Sequence, residues 1–156
     1  MQTQHESTLK ETREATSFKL NQFIIKEAHI IRNTGEPGKY NLKFNPKGYI
    51  NEQEQIFMLE LEIEVKDIKD TFEAKVKILS WFEFDNKIKK DNLNKYFYQN
   101  APAIIFPYIR AYISSLTALS GLPAINLPLM NMLALGKELS ENTVTIEPVN
   151  KESELI

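Results

Sequence analysis

The chain has 156 residues, 42% of them hydrophobic, with 19 basic and 21 acidic side chains for a formal charge of −2. That is one domain of ordinary size with enough apolar material for a core, and its charge gives no support to nucleic-acid binding. Cysteine is absent, which excludes disulfides and thiolate metal sites and fits a reducing compartment.

Residues 1–16 are polar, charged and without a period, so a flexible tail is expected there and no secretory signal. Strands are predicted over about 18–32, 40–45, 56–66 and 72–84. The third has the cleanest pattern. Phe57, Leu59, Leu61, Ile63 and Val65 share one face, and Glu60, Glu62, Glu64 and Lys66 share the other, as in a sheet with one wet side. The fourth repeats it, with Phe72, Ala74, Val76, Ile78, Phe82 and Phe84 inward and Glu73, Lys75, Lys77 and Glu83 outward. A short link, Lys66 to Asp70, makes these two an antiparallel hairpin. Turn-rich Asn33–Lys39 should join the first two strands, and Asn45–Gln55 reads as a longer crossover loop. Trp81 and Leu79 fall on the nominally wet face of the fourth strand.

After Phe84 a lysine-rich connection leads to Asn100–Met132, which holds four of the seven prolines and, as its one ionisable side chain of note, Arg110. Ile105, Ile109, Tyr112, Ile113, Leu116 and Leu119 recur at helical spacing. Gly121 supplies a helix stop and Pro123 follows at a common post-cap position. Arg110, Ser114 and Ser115 interrupt the best candidate for a membrane span. A second helix is expected from about Pro128 to Ser140, since proline suits a first helical turn. Glu141–Ile156 reads as a flexible tail, which leaves 17–140 as the folded domain. The fold class expected is α+β: a four-stranded antiparallel sheet with one long and one shorter C-terminal helix on one face. The long helix is apolar almost all round, so self-association is expected.

Catalytic chemistry finds little footing. The two histidines are His5, in the tail, and His29, read as a strand histidine with a satisfied hydrogen bond. Glu60, Glu62 and Glu64 sit about 7 Å apart on one strand face; a hard-metal site is conceivable there, but the solvated face of a sheet is the plainer reading. No nucleophile elbow or phosphate-binding glycine signature occurs. Lys87, Lys89, Lys90 and Lys95 precede Tyr96, Phe97 and Tyr98, a mixture a single-strand nucleic-acid platform needs, yet Asp85 and Asp91 break it. No enzyme activity, metal or cofactor is expected.

The run Pro102, Ile104, Ile105, Phe106, Pro107, Tyr108, Arg110, followed by Gly121, Pro123, Ile125, Asn126, Leu127 and Asn131, resembles the SecB family of export chaperones. Members carry Pro-x-Ile-Leu-Phe-Pro-Tyr-x-Arg at the start of their long helix, and a Phe-Pro-x-Leu-x-Leu segment about twenty residues on. Ala111 stands where the family usually has an acidic residue, and Pro128 comes one position early. The resemblance implies a homotetramer, a dimer of dimers with the long helices at the interface, here Tyr108, Ile109, Tyr112, Ile113 and Leu116. It also implies an apolar client groove. The residues expected to line it are Tyr40, Leu42 and Phe44 on the short second strand, Tyr49 in the crossover loop, Trp81, and Leu129, Met130, Met132 and Leu133 on the second helix.

The function expected is an ATP-independent cytoplasmic holdase. It would bind non-native polypeptides and keep them export-competent for the Sec translocase, without nucleic acid or direct membrane insertion. The SecA motor is a candidate recipient, with Glu60, Glu62 and Glu64 as a docking face. A chaperone dedicated to one client, such as an antitoxin, is the alternative within the family. A small-ligand-binding α+β domain is the alternative of another class.

Overall fold

Alternating apolar and charged side chains shape the middle of the chain first. In the computed structural model, which describes residues 18–147, they form β3 (Ile56–Asp67) and β4 (Phe72–Phe84), paired antiparallel from Ile56↔Glu83 to Lys66↔Glu73. Every second residue of both strands is buried. β1 (Phe18–Arg32) pairs with the far side of β4, and β2 (Tyr40–Asn51) with the far side of β3. A short fifth strand, β5 (Thr143–Thr145), lies parallel to β2, so the sheet order is β1-β4-β3-β2-β5.

Three sequence expectations change here. β2 does not stop at Asn45: it continues through Pro46 and Gly48 to Asn51, and a tight turn at 52–55 leads into β3. Proline and glycine read as breakers, but a strand near a sheet edge tolerates both. The true crossover is therefore Asn33–Lys39. It carries the chain from β1 on one side to β2 on the other, across three strand spacings of roughly 14 Å in all. Lastly, the tail expected to be unstructured from Glu141 includes β5. Its three β-branched residues favour extended backbone. The expected N-terminal tail and the end of the C-terminal one lie outside the described residues. β1 also carries two irregularities, between Leu20 and Gln22 and between Ile25 and Glu27, which bend the strand.

The lysine-rich connection is largely helical. α1 (Lys90–Lys95) runs through a π turn (Tyr96–Asn100) into α2 (Ala101–Leu119). Pro102 accounts for the change of winding: it has no N–H to give Tyr98, its ordinary i−4 partner. The π turn drives Phe97 into the core, 4.6 Å from the Phe57 ring and 5.0 Å from that of Phe84. α2 lays Ile105, Ile109 and Ile113 on the sheet, all fully buried. α3 (Met132–Glu141) starts four residues after Pro128, because Asn131 caps it, its side-chain oxygen accepting from the Leu133 and Ala134 amides at 3.2 and 3.3 Å. α3 crosses the π turn closely: a Cβ on Gly136 would come within 2.4 Å of the Tyr98 carbonyl oxygen, so only glycine fits. No helix of the described residues is long and apolar enough to cross a membrane.

Candidate functional site

Between α2 and α3 the chain from Leu122 to Asn131 is neither helix nor strand, and at Asn126 it lies beside Tyr40 at the start of β2. Leu122, Ile125 and Leu127 point into the core, while Pro123, Ala124, Pro128 and Leu129 face outward. Thr117 holds this segment in place. Buried in the last turns of α2, its hydroxyl donates to the Ile113 carbonyl at 2.8 Å and accepts from the Ile125 amide at 2.9 Å. Ser114 donates to Asn126 Oδ1 at 3.3 Å, and the Tyr40 hydroxyl to the Asn126 carbonyl at 3.5 Å. At the end of β1, Arg32 donates to the Gly121 carbonyl, placing a cation at the negative end of the α2 dipole.

The opposite wall is the crossover, and a buried carboxylate anchors it. Asp67, 1% exposed, accepts from the amides of Gly38 (2.9 Å), Lys69 (3.2 Å) and Thr71 (3.2 Å), and from the Thr71 hydroxyl. Burial pushes its carboxyl up, but those donors together outweigh burial and hold it below the usual range. Between the two walls opens a cleft of about 230 Å³, lined by Pro37, Gly38, Tyr40, Phe72, Leu122, Pro123, Ala124, Ile125 and Asn126. Its lining is apolar apart from Tyr40 and Asn126.

From this cleft an apolar strip continues along β2. Tyr40, Leu42 and Phe44 are half-buried on the inner face, in register with Asp67, Val65 and Ile63. Alongside, the chain runs from Asn126, beside Tyr40, to Asn142, whose carbonyl accepts from the Gly48 amide at 3.2 Å. Leu129 and Leu133 are 89% and 68% exposed on that stretch, and Met130 and Met132 half-buried. Seven of the nine expected groove residues are thus brought to one side of the molecule.

Tyr49 and Trp81 are not among them. Both stand on the outer face, in a row across the sheet that register defines as Trp81–Met58–Tyr49–Val144. Strand parity is the reason: Tyr49 lies an odd number of residues from Tyr40, and Trp81 precedes the buried Phe82. The expected single groove of nine residues is corrected to that extent.

Glu60, Glu62 and Glu64 share that outer face, where they interleave with lysines rather than forming a free acidic surface. Lys75 reaches Glu64 at 3.0 Å and Glu62 at 3.6 Å; Lys77 reaches Glu62 at 3.5 Å and Glu60 at 3.9 Å. Hydrogen bonding to Lys75 holds the Glu64 carboxyl below its ordinary range, and Glu64 in turn raises the Lys75 ammonium. Among the described residues no group of three His, Asp or Glu converges to hold a metal.

The residues expected between subunits also divide. Ile109 and Ile113 are fully buried under the chain's own sheet and have no surface left for a partner; they are corrected to core. Tyr108 is 48% exposed and packs on Phe23, ring centroids 4.7 Å apart, while Tyr112 and Leu116 are half-buried. Thr117, Asp67 and Arg32 were not singled out in the sequence. Apolar periodicity is blind to a buried hydroxyl or carboxylate, and neither has a local signature in the chain.

The geometry describes an α+β domain with an open apolar strip beside a sheet edge. The chain belongs to the SecB family: the family model described as preprotein translocase subunit SecB matches residues 15–142. The protein-export protein SecB of Anaplasma phagocytophilum is 27% identical over 93 residues, which cover 56% of this chain and 59% of that protein. The fold is similar to a SecB-like chaperone of Mycobacterium tuberculosis, solved in complex with a peptide from the HigA1 antitoxin. The two superpose with a TM-score of 0.64 at 17% identity, over 77% of this chain and 92% of that one.

Proposed function

We propose that this chain is an ATP-independent holdase that binds extended, non-native polypeptide along β2 and keeps it competent for export. The observation that carries the reading is the apolar strip from the 230 Å³ cleft through Leu42 and Phe44 to Leu129 and Leu133. It combines repackable aliphatic, aromatic and Met side chains with little charge, the mixture a promiscuous binder uses. Each anchor filling such a strip is worth about 1.5–3 kcal/mol when fully buried, less the cost of ordering the client.

Self-association belongs to the same proposal. Closed dimers of dimers need two distinct surfaces, and two are available. One is the outer side of α2 at Tyr108, Tyr112 and Leu116, with Phe23 packed on Tyr108; the other is the outer face of β1, at the sheet's edge, with Ile24 and Ile31 exposed. Light scattering should return about four times the 18.1 kDa chain mass. Delivery to the SecA motor would use the outer face. Because lysines interleave with Glu60, Glu62 and Glu64, a basic partner must exchange those ion pairs, so salt should weaken docking only modestly. A cytoplasmic setting fits this role.

The related reading, a chaperone dedicated to one antitoxin, is favoured by the Mycobacterium tuberculosis protein bound to a HigA1 peptide. Both readings use the same strip. The test is aggregation of a chemically unfolded model protein, without nucleotide. Wild-type protein should suppress it and should ignore the folded form. Replacing Leu129 and Leu133 together by Ser should lower client affinity about tenfold or more, from the burial lost. Trp81→Ser, on the other face, should leave affinity unchanged. A requirement for ATP, or equal loss from all these variants, would sink the reading.

A further inference from the structure

The outer side of β2 is a sheet edge with two seats. Gly48 donates to Asn142 and the Ile50 carbonyl accepts from Ile146 at 2.7 Å, so the even-numbered residues of β2 turn their backbone groups outward. By the same alternation, Leu42 and Phe44 direct an N–H and a C=O to the open side, next to the apolar strip. Pro46 stands between the two seats and has no N–H to offer. The far seat, Gly48–Ile50, is filled by the chain's own β5.

Among the described residues, β5 is fastened by a side chain at its start. Thr143 is fixed: its hydroxyl donates to the Leu139 carbonyl at 2.6 Å. Gly48 is shaped around it, since a Cβ there would lie 2.4 Å from Thr143 Oγ1. Beyond Thr143 the hold is almost entirely backbone. Val144 is 56% exposed and Ile146 47%, and the pairing is short and parallel, the weaker ladder. We propose that Val144–Ile146 is a tethered strand occupying half of a polypeptide-accepting edge, and that an extended client running along β2 past Pro46 adds as a strand and displaces it. This rests on the holdase reading, and it names the mode: main-chain pairing at the β2 edge, limited by an internal competitor. β5 itself demonstrates that the edge accepts an extended strand.

Hydrogen exchange on the full-length chain, alone and saturated with reduced, alkylated α-lactalbumin, tests this. The Ile146 amide should exchange about tenfold faster in the complex, as expected for local opening of one small unit, while the Ile50 amide stays protected by the client. Val144→Pro removes the β5 donor at an exposed position. It should raise apparent client affinity about three- to tenfold, because the competent fraction of the edge rises. Unchanged Ile146 protection at saturation, with client bound, overturns the proposal and leaves the holdase reading standing. So does equal client affinity for a Val144→Pro chain that folds; the exchange result on the wild type decides if it does not fold. Absence of any client binding overturns both.

Discussion

The β3–β4 hairpin and the stretch from Leu122 to Ile146 lie on one sheet, yet they are built in opposite ways. The hairpin buries every second side chain, pairs its backbone on both sides, and turns its charges into a ladder with lysines between glutamates. The later stretch buries only Leu122, Ile125, Leu127, Leu135, Gly136 and Leu139, and turns large aliphatic side chains to water. Between the helices it is held by single side-chain hydrogen bonds involving Thr117, Ser114, Tyr40 and Asn131. A scaffold gains from saturation. A surface that must meet many partners gains from leaving apolar area uncovered, at the cost of local stability.

The sharpest break between the two regions is in core truncation. Ile78→Ala, at a site with no exposure in the hairpin, should cost about 2–5 kcal/mol in chemical denaturation. Leu133→Ala, 68% exposed, should stay within roughly 0.5 kcal/mol. Equal losses would mean that Leu133 is covered in the folded assembly. Thr117→Val should have an intermediate effect. It keeps the shape but leaves the Ile125 amide without its acceptor, a loss of about 1–3 kcal/mol for a buried donor. Exchange should quicken over Leu122–Leu127 before the hairpin responds; uniform quickening would show that Thr117 serves the whole core rather than the groove wall.

The smallest effect concerns pH. Asp67 has a folded-state carboxyl below its unfolded value, so its contribution is present above the unfolded range and is lost as pH falls through the folded one. The Gly38 and Thr71 amides should therefore lose protection below about pH 4, the ordinary Asp range, after correction for intrinsic exchange. Asp67→Asn should remove that pH dependence. If the variant keeps it, other carboxylates secure the crossover.

Much of this division can be read along the chain. The alternation of Phe57 to Val65 and of Phe72 to Phe84 names the core and the wet face, and with it the outward side of Trp81, whereas Tyr49 takes its face only because β2 continues through Pro46 and Gly48 to Asn51. The apolar helix, its stop near Gly121, and the Pro102–Arg110 and Gly121–Asn131 runs carried the family. These are short-range properties, set by a period of two or 3.6 residues or by one chain segment. The folded structure alone decided the strand order, which moves the crossover to Asn33–Lys39 and leaves β1 and β2 toward the edges. It also decided that Ile109 and Ile113 are spent on the chain's own sheet while Tyr108 is not, and that Thr117 and Asp67 carry the groove walls. Those outcomes depend on which distant residues arrive beside one another, and no local pattern in the chain encodes that arrival.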